Sequence, residues 1–351
     1  MSLNEAKLNE FMGRAVSDMG AAISASLVRI GDRLGLYKAM SGAGPMTPAD
    51  LARKTGTNER YVREWLNNQA AGGYVAYDPK SGTYTLPPEQ AAALADESSP
   101  FFVMGAFDVM EATNKAEGRI AQSFRTGAGM DWGEHDPILF HGTERFFRPN
   151  YVGNLVASWI PALDGVKAKL EKGCSVADVG CGHGASTILM AQAYPKSKFV
   201  GFDSHEPSVK ECRQRARAAG VAARTNFEVA RAQDYPGTFD FVTSFDCLHD
   251  MADPVGAAKH TREALKPDGT WMIVEPFAED RPEQNLNPVG RTYYGVSTLV
   301  CVPVSLAGHG PALGAQAGEG RLRQIVVDGG GFTRFRRATQ TPFNLVLEAR
   351  P

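Results

Sequence analysis

Three groups of residues have types and spacings that could do chemistry. In Val176-Ala-Asp-Val-Gly-Cys-Gly-His-Gly-Ala-Ser186, a short β-branched strand leads to Asp178, and Gly180, Gly182 and Gly184 precede a helical pattern. Asp203 ends the apolar run Lys198-Phe-Val-Gly-Phe202, about 20 residues past the glycines, where a nucleoside-binding βαβ unit carries its ribose acid. His249 stands in Asp246-Cys-Leu-His-Asp250 after the apolar run Phe239 to Phe245, and Glu275 ends Trp271-Met-Ile-Val-Glu275. Each part has a physical job. Glycine takes left-handed angles and lets a ligand approach the backbone. A new helix at Ala185 offers unpaired N–H groups. Asp203 can accept both ribose hydroxyls, and a histidine can take up and return a proton near neutral pH.

Which nucleoside fits is the first decision. Gly180-x-Gly182-x-x-Ala185 also matches the dinucleotide fingerprint, so the glycines alone leave NAD open. Asp178 shifts the balance. A carboxylate two residues before the first glycine repels a pyrophosphate at that helix terminus. It suits a cofactor that carries an ammonium and a sulfonium.

These residues need a scaffold. From Tyr151 on, strands and helices alternate, the α/β pattern. Strands are predicted at 175–179, 198–202, 225–229, 239–245 and 270–275, with a closing antiparallel pair at 332–338 and 343–349. Helices are predicted at 185–194, 207–219, 254–266 and 289–302. Ligands of open α/β sheets sit beyond the carboxyl ends of strands. The Gly180 loop, Asp203, His249 and Glu275 all fall at such ends, so they converge on one crevice.

The first part of the chain reads differently. Residues 4–41 read as helical, with Phe11, Val16, Met19, Ile23, Leu27, Ile30 and Leu34 mostly three or four apart. Thr47 with Pro48, then Thr57 or Asn58 after Gly56, start two helices. A hairpin follows, Tyr74–Tyr77 and Tyr84–Leu86 around Asp78–Gly82, so residues 40–90 read as a winged helix. Connecting helices and the loop Gly127 to Pro137 occupy 89–150. Met104, Phe107, Met110, Tyr293 and Tyr294 either line a pocket or belong to the core, and helical spacing favours core. Three regions are expected: a helical winged-helix domain over 1–90, a helical linker over 91–150 and an α/β domain over 151–351.

The Asp-x-Gly-x-Gly-x-Gly stretch resembles motif I of class I S-adenosylmethionine (SAM) methyltransferases. With the winged-helix head and Leu248-His249-Asp250 after the fourth strand, the chain resembles the small-molecule O-methyltransferases, the plant phenolic enzymes among them. Trp159 to Gly165 and Asn285 to Tyr294 are similar to a bacterial subgroup of winged-helix methyltransferases. The resemblance implies a Rossmann-like class I domain with a mostly parallel seven-stranded sheet, behind an α-helical winged-helix domain. It implies SAM as cofactor, S-adenosylhomocysteine (SAH) as product and no metal. Asp178, Gly180, Gly182, Asp203, Asp234, Tyr235 and Phe245 become the cofactor-binding candidates. His249 becomes the general base, with Glu275 orienting its ring. Glu319 is the nearest candidate for a second orienting acid. Met251 replaces the family's tryptophan after His-Asp. The head would form a homodimer through its first helices, and the linker would contribute to the pocket for a small-molecule acceptor.

Proton affinities narrow the acceptor. Histidine titrates near 6.5 and a phenol near 10, so full transfer costs roughly 5 kcal/mol. An aliphatic alcohol resembles water, and the gap grows to roughly 12 kcal/mol. A histidine base therefore favours a phenol, enol or similarly acidic hydroxyl. Holding oxygen, methyl carbon and sulfur in line can contribute about 7–11 kcal/mol more. Competing readings stand beside these. His249 could be a helix-start histidine with structural hydrogen bonds only. Asp246, Asp250 and Asp253 could ligate magnesium, although Asp253 before Pro254 reads better as a cap. Asp234-Tyr235 could be a plain turn, and His183 could face either the cofactor's carboxylate or solvent.

Bulk properties set the outer bounds. With 351 residues, 43% hydrophobic content and a net charge of −2, the chain reads as a globular protein with no general pull toward nucleic acid or anionic membrane. Its five scattered cysteines and polar first residues suggest a reducing, cytoplasmic setting. The rival class is a winged-helix transcription regulator. The would-be recognition helix carries Arg60 and Arg63 but also Glu59 and Glu64, a poor match for DNA phosphates.

Overall fold

Strands with continuous apolar runs must be covered on both faces, and those after Gly173 are. The computed structural model describes residues 3–351. Contacts group the chain into two compact units, Met1–Glu111 with Arg145–Pro149, and Ala112–Glu144 with Asn150–Pro351.

The first unit begins with α1 (Glu5–Arg33), which Asn4 caps, and α2 (Leu36–Met40). The helix expected over 4–41 is interrupted because Gly35 takes φ +69°, a left-handed turn no helix continues through. Then come α3 (Pro48–Thr55), α4 (Glu59–Ala71), the hairpin β1 (Ala76–Asp78) and β2 (Thr83–Thr85), and α5 (Pro88–Leu94). Thr47 and Asp50 form a reciprocal capping box on α3, and Gly56 ends it in a left-handed turn. Leu36, Tyr37, Leu51, Trp65 and Leu66 form the core of this winged helix. On α4, Arg60 pairs with Glu64 and Arg63 with Glu59, both at 2.5 Å. Arg145 joins this unit through Asp32 and Asp108, at 2.6 and 3.2 Å.

Helices α6 (Met104–Thr126) and α7 (Ile138–Asn154) each contribute residues to both units. The second unit continues through α8 (Val166–Lys172), β3 (Ser175–Val179), α9 (Ala185–Ala193), β4 (Lys198–Asp203), α10 (Glu206–Ala218), β5 (Thr225–Val229) and β6 (Phe239–Phe245). It ends with α11 (Pro254–Ala264), β7 (Leu265–Pro276), α12 (Pro288–Val296), α13 (Val302–Ala307), α14 (Gly318–Arg323), β8 (Arg334–Gln340) and β9 (Asn344–Arg350). The seven strands lie in the order β5-β4-β3-β6-β7-β9-β8. Pairs among β3 to β7 are parallel, and β9 and β8 close the sheet antiparallel. Chain direction away from β3 reverses between β3 and β6, the switch point where ligands of such sheets sit. Trp271, Ile273, Val242, Leu345 and Leu347 are buried in the core beneath it.

The expected helix 289–302 is divided. After α12 the chain widens into a π-helical turn, Ser297–Cys301, before α13. Such turns often occur at functional sites, because the extra residue re-aims side chains.

Candidate active site

The glycine loop is held from two sides. The amides of Gly180 and Cys181 donate to Phe202 O at 2.8 and 3.0 Å, which ties the loop to β4. Gly180 takes φ +76°, and a Cβ there would lie 2.7 Å from Cys247 Sγ at the end of β6. Only glycine fits that close approach in that conformation. Asp203 completes the fixture. Its Oδ2 accepts the Gly182 amide at 2.8 Å and its Oδ1 the His205 amide at 2.9 Å. Burial raises its proton affinity, and the two amides oppose that rise.

A nucleoside cofactor fits these residues. Asp203 keeps partial exposure, and its carboxylate retains acceptor capacity beyond two amides. A Cβ built on Gly182 meets no atom within 4 Å, so space is open beside the loop. Within the loop, His183 Nδ1 is buried with no hydrogen-bond partner.

The other cofactor-binding candidates have partners within the protein. Asp178 is 1% exposed. Its Oδ2 accepts from Ser186 and Thr187, at 2.6 and 2.5 Å, and its Oδ1 from Thr243 at 2.9 Å. The acid therefore clamps the start of α9 to β3 and β6. Burial raises its proton affinity and the three hydroxyls counter that. Tyr235 is a core residue. Its ring stacks on Phe202 at 5.0 Å and its hydroxyl donates to Thr261 Oγ1 at 3.2 Å. Asp234 is exposed and paired with Arg231. Phe245 is buried against Tyr151 and Trp159, with centroids 5.1 and 6.5 Å away.

His249 and Glu275 meet. His249 follows β6 in the short turn Leu248–Asp250, and Glu275 stands near the end of β7. His249 Nδ1 hydrogen-bonds Glu275 Oε2, and Glu275 Oε1 accepts the Leu248 amide at 2.8 Å. Both side chains are almost fully buried. Burial pulls the imidazole's proton affinity down. The Glu275 carboxylate, with Cys301 adding, outweighs it, so His249 titrates well above the ordinary histidine range. Cys301, on the π-helical turn, puts Sγ 3.3 Å from His249 Nε2. An isolated apolar-flanked cysteine gave no sequence signal for that place.

Asp246 is strained. It takes φ +50°, rare for a residue with a Cβ, and strain of this kind clusters at functional sites. Tyr151 donates to its Oδ2 at 2.8 Å and Asn344 Nδ2 to its Oδ1 at 3.0 Å. Burial, then the charge of Glu275, pushes its carboxyl up to about 8. Burial raises Asp250 to about 7, with His249 opposing. Asp253 caps α11, accepting the Gly256 amide at 2.7 Å.

The remaining candidates have other partners. Glu319 on α14 pairs with Arg337 at 2.7 Å. Met251 packs against the sheet core. Met104 is buried in the winged-helix core with Phe107 against it, whereas Met110 is exposed. Tyr293 is buried and donates to Phe343 O at 2.8 Å. Among the described residues, no group of three or more His, Cys, Asp or Glu is arranged to hold a metal ion.

Comparison with known proteins gives two domain matches. Residues 21–96 match the Rv2258c-like winged HTH domain, and residues 170–309 match a methyltransferase domain. A tRNA U34 carboxymethyltransferase of Campylobacter lari is 29% identical over 136 residues, 38% of this chain and 45% of that protein. A ubiquinone biosynthesis O-methyltransferase of Leptothrix cholodnii is 29% identical over 154 residues, 43% of this chain and 63% of that protein. The chain thus spans about half the length of these curated relatives. The mitomycin 7-O-methyltransferase MmcR superposes with a TM-score of 0.71 at 19% identity, over 99% of this chain and 100% of the other. The O-methyltransferase NcsB1 of neocarzinostatin biosynthesis, solved with SAH and 1,4-dihydroxy-2-naphthoic acid, gives 0.62 at 18% identity over 96% and 98%. Likeness at such identity speaks to fold. By its two domain matches and its seven-stranded sheet, the chain is a winged-helix protein with a methyltransferase domain of the class I, SAM-dependent fold.

Proposed function

We propose that this protein transfers a methyl group from SAM to a small-molecule acceptor, at a phenolic or comparably acidic hydroxyl, with His249 as general base. The observation that carries the reading is the His249–Glu275 pair, set at the same sheet edge as the Gly180 loop and Asp203. SAM, when bound, supplies a methyl group already activated by its sulfonium, and that donor chemistry calls for no metal.

The chain's own residues would divide the work. Asp203 would take the ribose hydroxyls, while Gly180 and Gly182 let the backbone approach. Asp178 would act from below by fixing the loop. Glu275 holds His249 by Nδ1, which leaves Nε2, on the Cys301 side, as the nitrogen that would meet the acceptor's proton. A raised proton affinity suits that task, since it narrows the gap to a phenol below roughly 5 kcal/mol.

The first unit would pair two copies of the chain. Phe11, Val16, Met19 and Ile23 are 59, 58, 55 and 70% exposed along one stretch of α1. A stripe of that kind on a helix about 43 Å long is more apolar surface than a monomer ordinarily leaves open. We expect no nucleic-acid partner, because the arginines of α4 are paired within their own helix. No helix among the described residues is long and apolar enough to cross a membrane. All five cysteines are unpaired, which supports a reducing, cytoplasmic setting. Incubation with methyl-labelled SAM and a panel of phenols tests the reading. Label should pass to at least one phenol and to no matched aliphatic alcohol. Failure of the protein to take up SAM or SAH would end it.

A further inference from the structure

The segment before α7 contains a buried group with nothing to bond. The turn Trp132–Glu134 is closed by a reciprocal box, in which Asp131 accepts the Gly133 amide at 2.9 Å and Glu134 accepts the Asp131 amide at 2.8 Å. The turn delivers His135 into the interior, 3% exposed, and neither of its ring nitrogens has a hydrogen-bond partner. Buried polar groups are nearly always paired, so two orphaned nitrogens on one ring need an explanation. Burial lowers the ring's proton affinity, against the nearby charges of Glu134 and Asp131. A neutral imidazole offers one donor and one acceptor. It suits an uncharged polar partner better than a carboxylate or an ammonium.

An aromatic wall adjoins it. Trp132 lies 6.4 Å from His135 and 5.2 Å from Phe140, and Phe140 lies 4.5 Å from His205, all between ring centroids. His205 is the residue whose amide donates to Asp203. Trp132, Phe140, His205 and Asp203 are all partly exposed, and the row ends at His205, two residues past the acid. Aromatic faces of this kind stack on flat bases.

We propose that Trp132, Phe140 and His135 form the purine side of the nucleoside site, with the aromatic wall against the base and His135 bonded to an uncharged polar group of the adenosine. The inference rests on the cofactor reading above and extends it to a segment outside the matched methyltransferase domain, 170–309. It gives the orphaned histidine a partner and explains why aromatic residues stand beside His205.

Calorimetry with SAH and with adenosine tests it on the full chain, comparing wild type with His135→Phe, His135→Gln and Trp132→Phe. His135→Phe fills the same space without polar atoms. It should lower affinity for SAH and adenosine by the same factor, roughly ten- to hundredfold, while the melting temperature holds or rises. His135→Gln should recover part of that loss. Trp132 is partly exposed, so Trp132→Phe should fold whatever happens at position 135, weaken both ligands and abolish the tryptophan fluorescence change that SAH produces in wild type. Unchanged affinity in both His135→Phe and Trp132→Phe would overturn the proposal. So would a loss for SAH with none for adenosine, which would put His135 at the amino-acid end. A wild-type protein that takes up neither ligand removes the cofactor reading itself, a result distinct from either of those.

Discussion

Glu275 fixes His249 by holding the ring and the chain beside it at once: one carboxylate oxygen bonds His249 Nδ1 and the other accepts the Leu248 amide at 2.8 Å. The imidazole's tautomer and direction are set together, with Nε2 turned toward Cys301. A carboxylate behind a histidine is the arrangement that orients a general base and stabilises its charged form.

That pairing sets a pH dependence. Because Glu275 raises the proton affinity of His249, the ring keeps its proton to a pH well above 6.5. Turnover should rise with pH along an acid limb whose midpoint lies above that value. Glu275→Gln removes the charge, so the midpoint should fall. A pH–rate profile of both proteins checks this, and an identical midpoint would mean that the carboxylate does not set the titration. Stability follows the same sign. A group whose folded-state proton affinity is raised contributes stability in full below about pH 6.5, and loses it as pH climbs through the folded value.

The clamp under the loop should show in stability. Asp178 receives three buried hydroxyl donors, and an asparagine amide turned toward two of them cannot accept from them. Asp178→Asn should cost about 2 kcal/mol of unfolding free energy, measured by urea titration, and should weaken SAH uptake with it. An unchanged midpoint would mean that the carboxyl is already protonated in the folded state, the direction in which burial pushes it.

Gly180 is tested by adding one carbon. Gly180→Ala must hold a left-handed residue with its Cβ 2.7 Å from Cys247 Sγ. The conformation alone costs roughly 1–2 kcal/mol. The loop should shift, and SAH affinity should fall at least tenfold in calorimetry. The double variant Gly180→Ala, Cys247→Ala should recover part of the loss, since it removes the collision but not the strain.

The exposed stripe on α1 predicts self-association. Light scattering at micromolar concentration should report a dimer. Ile23→Glu, at a position 70% exposed, should give a monomer whose winged-helix core is untouched. A wild-type monomer would remove the dimer.

Much of the scaffold is legible because burial on both faces leaves continuous apolar runs. The strands expected at 175–179 and 239–245 have those bounds in β3 and β6, and 225–229 has them in β5 although only its Phe227 is buried. β7 begins at Leu265, five residues before the expected 270, because Lys266-Pro-Asp-Gly269 interrupts the apolar run while Leu265 still pairs with Phe239 across an irregularity. The meeting of His249 with Glu275 follows from strand ends sharing one edge. Residue type does not announce the contacts within the protein: Asp178 accepts from three hydroxyls, and the ring of Tyr235 stacks on Phe202. Cys301 reaches His249 from the π-helical turn Ser297–Cys301, a backbone detail that no side-chain pattern announces.

The central claim is that His249 removes the acceptor's proton while the donor is held elsewhere, and one paired measurement on wild type and His249→Ala tests it. SAH binding is measured by calorimetry, and label transfer from SAM to an accepted phenol is followed under saturating donor. The variant should bind SAH as wild type does and turn over about 10²–10⁴-fold more slowly. Equal turnover in the two proteins would contradict the base assignment.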